Sequence, residues 1–172
     1  MRRLLLLLLL TALVGCGKMT PPRISNVEVE PQWERVATAD YPDRVVVKVT
    51  LENPSAAVKV LRGRARIGYL GRRVAMLTLE EKVKIPARTT AVVELPLRLN
   101  IQRTAQTVQL QAALKQGQTE GIEIDWQVAL RSRGVYVEQE QEPTPLEKIA
   151  GAQIAQIKEM LKDILRSKTD KI

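Results

Sequence analysis

The chain has 172 residues, with 27 Lys and Arg against 19 Asp and Glu and a formal net charge of +8. That length suits one domain with tails. Two tryptophans, three tyrosines and no phenylalanine leave a core built from Val, Ile, Leu and Ala. The chain contains no histidine, so it lacks the usual general base, the commonest metal ligand and the usual switch near neutral pH. Its single cysteine, Cys16, has no partner for a disulfide within the chain.

Met1-Arg2-Arg3 is followed by a leucine run over residues 4–10 and by the tetrapeptide Leu13-Val14-Gly15-Cys16. The arginines hold the start of the segment on the cytoplasmic side, the apolar run engages the export machinery, and small Gly15 gives a peptidase access to the bond before the cysteine. The segment resembles a bacterial lipoprotein signal peptide with its lipobox. The resemblance implies that Cys16 carries a diacylglycerol, that the chain is cut before it, and that the new amino terminus is acylated as well. An uncleaved transmembrane anchor needs about 20 apolar residues, and residues 4–14 fall well short of that. A lipid of two or three chains anchors effectively permanently, since each buried methylene contributes about 0.8 kcal/mol. Residues 1–15 are thus expected to be the signal peptide, and residues 16–23, with Pro21-Pro22, a lipidated tether. Gly17 is not the aspartate that retains lipoproteins in the inner membrane of enterobacteria-like systems, so the expected location is the bacterial envelope, on the outer membrane facing the periplasm.

From Ile24 onward the pattern alternates. Val27 and Val29 flank Glu28, and Val45, Val47, Val49 and Leu51 alternate with Val46, Lys48 and Thr50, the period-two signature of half-buried strands. Asn53-Pro54-Ser55 ends the second of these, because the residue before proline is pushed out of helical geometry and Asn and Ser close turns through their own side chains. Alternation resumes at Val58 and Val60, then at Ala65 and Ile67. Leu70-Gly71-Arg72 turns into a strand over residues 74–79, and residues 82–85 lead to a turn at Pro86-Ala87-Arg88. Val93, Leu95, Leu97 and Leu99 then point one way. Pro96 cannot donate to a ladder, which predicts a sheet edge or a bulge there. In residues 104–115, Val108, Leu110, Ala112 and Leu114 fit a strand, whereas the Gln/Ala/Leu-rich composition stopped by Gly117 fits a short helix; the helix is the preferred reading. Ile122, Ile124, Trp126, Val128 and Leu130 alternate again, and Gly134 leads to a last short run over residues 135–137.

These motifs carry a second resemblance. Residues 45–99, with a strand ending in Asn53-Pro54, a following strand, a glycine turn at Gly71, Ile85-Pro86-Ala87 and a leucine-rich strand after it, look like the LEA14-like, or water-stress-and-hypersensitive-response (WHy), domain. Residues 24–30 and 124–133 match its first and late strands less specifically. The resemblance implies a mainly β fold over residues 24–137: an immunoglobulin- or fibronectin-III-like antiparallel β-sandwich, usually without a catalytic site. The chain departs from the family pattern in its many arginines, in Ser55-Ala56-Ala57 after the proline, and in an added C-terminal amphipathic α-helix.

Motifs for chemistry are lacking. The sequence has no Gly-rich phosphate loop, no Gly-x-Ser-x-Gly elbow and no Cys or His pair at metal spacing. Glu138, Glu140 and Glu142 alternate along an extended segment without the turn glycine of a calcium loop, so residues 138–143 are expected to be an acidic linker. No enzyme activity and no cofactor beyond the covalent lipid on Cys16 are expected. Arg62, Arg64, Arg66, Arg72 and Arg73 flank one turn, and on a strand the even-numbered three share a face. They form either a ridge for an anionic surface or the soluble outside of a sheet. Nucleic acid is not an expected partner, because the ridge has no stacking aromatics.

Thr144-Pro145-Leu146-Glu147 reads as a capping box with proline at the first helical position, predicting a helix over residues 144–168. Ala150, Ile154, Ile157, Leu161 and Ile164 form a heptad-like seam. Ile154, Ile157, Leu161 and Ile164 are the candidate contacts for an envelope protein or a second copy; docking on the chain's own domain and lying on the membrane are the alternatives. Two functions follow as expectations: a non-enzymatic, membrane-anchored binding or interaction module, or a stress-protective or ligand-binding protein acting through the sandwich alone.

Overall fold

The structure is a computed structural model that describes residues 23–33, 41–148 and 151–165, with burial undescribed for the side chains of Ile24 and residues 151–157. The expected signal peptide, Cys16 and the expected tether up to Pro22 therefore lie outside the described residues. The fold is mainly β: an eight-stranded antiparallel sheet with two helices among the described residues. The strands are β1 (Arg23–Gln32), β2 (Arg44–Asn53), β3 (Val58–Tyr69), β4 (Arg72–Leu79), β5 (Val83–Ile85), β6 (Thr89–Ile101), β7 (Ile122–Ser132) and β8 (Val135–Pro145). Helix α1 (Ala105–Lys115) joins β6 to β7, and α2 (Gly151–Leu165) follows β8 after a 3-10 turn at Leu146–Lys148. The strand order is β1-β2-β6-β4-β3-β7-β8, with β5 also paired to β3.

Alternation decides which face is inward. On β2 the side chains of Val45, Val47, Val49 and Leu51 are buried, as are Val93, Leu95, Leu97 and Leu99 on β6 and Ile122, Ile124, Trp126, Val128 and Leu130 on β7. β6 and β7 stand three places apart in the sheet, yet Leu95 and Leu97 share a cavity wall with Trp126 and Val128. The sheet must therefore curl until the inner faces of its two halves meet. A bulge between Val60 and Arg62, opposite Leu130 and Ala129, resets the phase of β3. Before it the even residues Val58 and Val60 are buried, and after it the odd residue Ile67 is, which turns Arg62, Arg64 and Arg66 outward.

Turn chemistry follows the sequence closely. Leu70-Gly71 (φ 50° and 73°) and Arg133-Gly134 (φ 48° and 82°) both place two residues in the left-handed region, the backbone of the two-residue hairpin whose twist matches its strands. Asn53 is fully buried. Its Oδ1 accepts from the Ser55 amide at 3.1 Å, and its Nδ2 donates to the carbonyls of Ala56 at 3.0 Å and Pro86 at 2.7 Å. One side chain thus ties the Asn-Pro loop to the Ile-Pro-Ala turn, although 33 positions separate Asn53 from Pro86.

Residues 105–115 are helical, and α1 ends in a Schellman motif: Gln118 N donates to Ala113 O at 2.9 Å and Gly117 N to Leu114 O at 3.1 Å, with Gly117 at φ 84°. Three expectations are corrected. The strand carrying Pro96 is not an edge, since β6 pairs with β2 and β4; Pro96 is tolerated because the β4 ladder begins one residue later, at Leu97, and its free carbonyl accepts from Glu80 N at 3.0 Å. Residues 138–143 are not a linker but part of β8, laddered to β7 with Ala129 opposite Glu138 and Gln127 opposite Glu140. The helix does not begin at Thr144, because that residue is still in β8, opposite Ile124. Its hydroxyl donates back to Glu142 O at 2.9 Å instead of capping a helix.

Candidate functional site

The seam of the last helix is the first candidate, and the structure places half of it inside the molecule. Leu161 is 0% exposed and Ile164 1%, and both belong, with Leu165, to the same hydrophobic cluster as the sheet. α2 packs against α1 and reaches β1. The two helices also complete each other's ends. Gln111 Nε2 on α1 donates to Leu165 O on α2, and Lys158 Nζ on α2 donates to Gly117 O at 2.6 Å, just past the end of α1. Terminal carbonyls left without intrahelical partners find donors there, and the lysine sits at the favourable end of the α1 dipole. The assignment of Leu161 and Ile164 to partner contact is therefore corrected: both are covered by the chain itself. The side chains of Ile154 and Ile157 lie outside the described residues.

The arginine ridge is the second candidate. In cross-strand register Arg62 stands opposite Ala129, Arg64 opposite Gln127 and Arg66 opposite Asp125, so the even-numbered three do share the outer face. Each is engaged by a neighbour. Arg66 Nε meets Asp125 Oδ1 at 2.6 Å, and Arg64 Nη2 donates to Gln127 Oε1 at 3.1 Å. Arg62 Nη2 donates to the Tyr136 hydroxyl at 2.8 Å, which in turn donates to Glu138 at 2.7 Å. The hydrogen bond that Arg62 donates to Tyr136, and after it the nearby Glu138 charge, raise the Arg62 pKa above its ordinary value. Arg72 and Arg73 sit after the β3–β4 turn, exposed, and Arg73 reaches the side-chain amide of Gln102. What β3 presents as a basic ridge is thus largely balanced by carboxylates and amides from β7 and β8, which is how an outer sheet face is solvated. A comparable clamp holds the other half of the sheet, where Glu80 takes Arg44 of β2 and Arg98 of β6.

A third feature escaped the sequence reading. Val60, Leu77, Leu79, Leu95, Leu97, Trp126 and Val128 wall an apolar cavity of about 80 Å³ between the two halves of the curled sheet. Its wall exposes only apolar surface. The Trp126 indole N–H, buried and without a hydrogen-bond partner among the described residues, is therefore not part of that wall. A group entering the cavity would be selected by shape and apolarity alone. The volume matches about two or three waters, but water needs two to four polar partners to stay, and this wall supplies none. No single sequence signal marks the cavity, because its residues come from four strands, β3, β4, β6 and β7.

Lys59, Lys84 and Arg131 were also missed. They are outward-facing cations in otherwise apolar alternation, and only the register of β5, β3 and β7 brings them together. Among the described residues no group of three or more His, Cys, Asp or Glu side chains could hold a metal ion, and no helix is long and apolar enough to cross a membrane.

No protein-family model matches the chain, and no curated protein does. Among solved structures it is similar to the crystal structure of a protein from Archaeoglobus fulgidus, at 15% sequence identity and a TM-score of 0.39, covering 69% of this chain and 94% of that one.

Proposed function

We propose that the chain is a non-enzymatic lipoprotein of the bacterial envelope, anchored through acylated Cys16 and facing the periplasm from the outer membrane. Its β-domain acts as a binding module. In this reading the curled sheet is an immunoglobulin- or fibronectin-III-like sandwich of the LEA14/WHy type, with an amphipathic C-terminal helix added to it. The observation that carries the binding role is the apolar cavity that Trp126 helps to wall. Docking of Leu161 and Ile164 removes half of the apolar stripe that a helix-borne recruitment site would use, and this favours the sandwich over the helix as the binding body. The ligand class that fits is a short apolar group, such as the end of an acyl chain.

The anchor is tested in cells. Cys16→Ala is expected to abolish acylation and to leave the protein as an uncleaved precursor or outside the salt-washed membrane fraction; cleavage before residue 16 with wild-type membrane retention would contradict the anchor. The cavity is tested on residues 17–172, which retain every core side chain, since the core runs from Val45 to Leu165. With Trp33→Phe, Trp126 becomes the sole tryptophan, and titration with methyl hexanoate should change its emission saturably. Leu79→Phe should fill the space, weaken that response at least tenfold, and hold or raise the melting temperature. A linear response, or one indifferent to Leu79→Phe, would make the cavity a packing void.

A further inference from the structure

On the outer face of the sheet, Lys84, Lys59 and Arg131 stand side by side in direct cross-strand register on β5, β3 and β7. All three are exposed, and none has a carboxylate or other hydrogen-bond partner among the described residues. Neighbouring strands are about 4.8 Å apart, so three positive charges fall within about 10 Å. Like charges directly opposite one another destabilise a sheet, and the contrast with β3's own ridge is sharp: a few residues along the same strand, Arg62, Arg64 and Arg66 each have a partner.

The turns at that end add to the charge. Arg88 and Arg133 occupy left-handed backbone, φ 49° and 48°, where an arginine is less comfortable than glycine or asparagine. Arg88 N bonds Ser55 O at 3.1 Å, and Ser132 Oγ bonds Ala57 O at 3.0 Å, which fixes both turns to the Asn53 end of the sheet. β1 starts at the same end, with Arg23 opposite Glu52. Glu52 is the carboxylate in register there, and it faces Arg23, not the row.

Cys16 lies seven positions before Arg23. Seven residues span at most about 25 Å, so a lipid on Cys16 keeps this end of the domain, and not the Leu70-Gly71 end, near the headgroups. We infer that the row Lys84, Lys59 and Arg131, flanked by Arg88, Arg133 and Arg23, is a contact surface for anionic phospholipid headgroups that seats the anchored domain on its own leaflet. The inference rests on the proposed lipid anchor. A flat bilayer of phosphates suits a row on an exposed sheet face, whereas a lone phosphate ion would need a concave site with converging donors.

The test uses unlipidated residues 17–172, so binding does not depend on the anchor, and the Cys16→Ala fractionation stands or falls separately. Co-sedimentation is measured with vesicles of phosphatidylcholine alone and with 30% phosphatidylglycerol. Binding is expected only with the anionic lipid, is lost at 0.5 M NaCl, and survives 10 mM inorganic phosphate at constant ionic strength. Each surface cation contributes about a fivefold factor near an anionic membrane. Lys59→Gln, Lys84→Gln and Arg131→Gln together should therefore lower partitioning about a hundredfold while the melting temperature holds or rises, as the repulsion is relieved. Arg62→Gln, Arg64→Gln and Arg66→Gln, an equal change in net charge, should leave partitioning within about threefold. Equal loss in both triple variants, equal binding to phosphatidylcholine alone, or displacement by phosphate would each overturn the inference.

Discussion

Val49→Asp is expected to unfold the domain. Val49 is 3% exposed, in the middle of β2, opposite Val27 on one side and Val93 on the other. Both neighbours along its own inner face, Val47 and Leu51, are buried as well, so an aspartate there finds neither water nor a counter-charge. Burying an unpaired carboxylate costs several kcal/mol, comparable with the whole stability of a domain of this size. The measurement is the circular-dichroism melt of residues 17–172. A cooperative transition within a few degrees of the unsubstituted protein would mean that the inner and outer faces of β2 are reversed.

The joint substitution Leu161→Glu and Ile164→Glu is the second large effect, and it separates the two uses of the last helix. If α2 docks as described, each substitution removes a buried aliphatic side chain, at about 2–5 kcal/mol, and adds a charge beside the α1–sheet core. The melting temperature should fall by more than about 10 °C, given a few degrees per kcal/mol at this length. Protease sensitivity should also appear across residues 151–165, because undocking exposes the helix and breaks the Gln111–Leu165 and Lys158–Gly117 bonds. Unchanged stability with loss of self-association or of a partner would restore these two residues to an intermolecular role.

The two helix ends show why docking was hard to foresee. A heptad-like stripe is compatible with any apolar surface, and its period says nothing about which one. The caps that settle the matter come from Gln111 and Gly117, about forty to fifty positions away, and neither residue type announces a contact. Likewise Glu138, Glu140 and Gln139 resemble a solvated linker, because the strand that needs them, β7, supplies the apolar side of the pair and β8 contributes mainly its backbone.

What the sequence determined by itself is local. The alternation in β2, β6 and β7 assigned Val47, Val49, Leu95, Leu97, Ile124 and Trp126 to the interior, and all six are buried. Gly117 stopped a helix, and Asn53, Gly71 and Pro86 marked turns. Each of these follows from the φ/ψ preference of one residue or from a period-two pattern within one strand. What only the tertiary structure decided is everything that depends on register between distant strands. Arg62, Arg64 and Arg66 acquired partners while Lys59, three to seven positions before them on the same strand, did not. Lys84 and Arg131 came to lie beside Lys59, and four strands came to line an apolar cavity at Trp126. A single strand carries its side-chain direction in its own sequence, but the identity of its neighbour is a property of the pair, decided by how the whole sheet curls to bury its inner face.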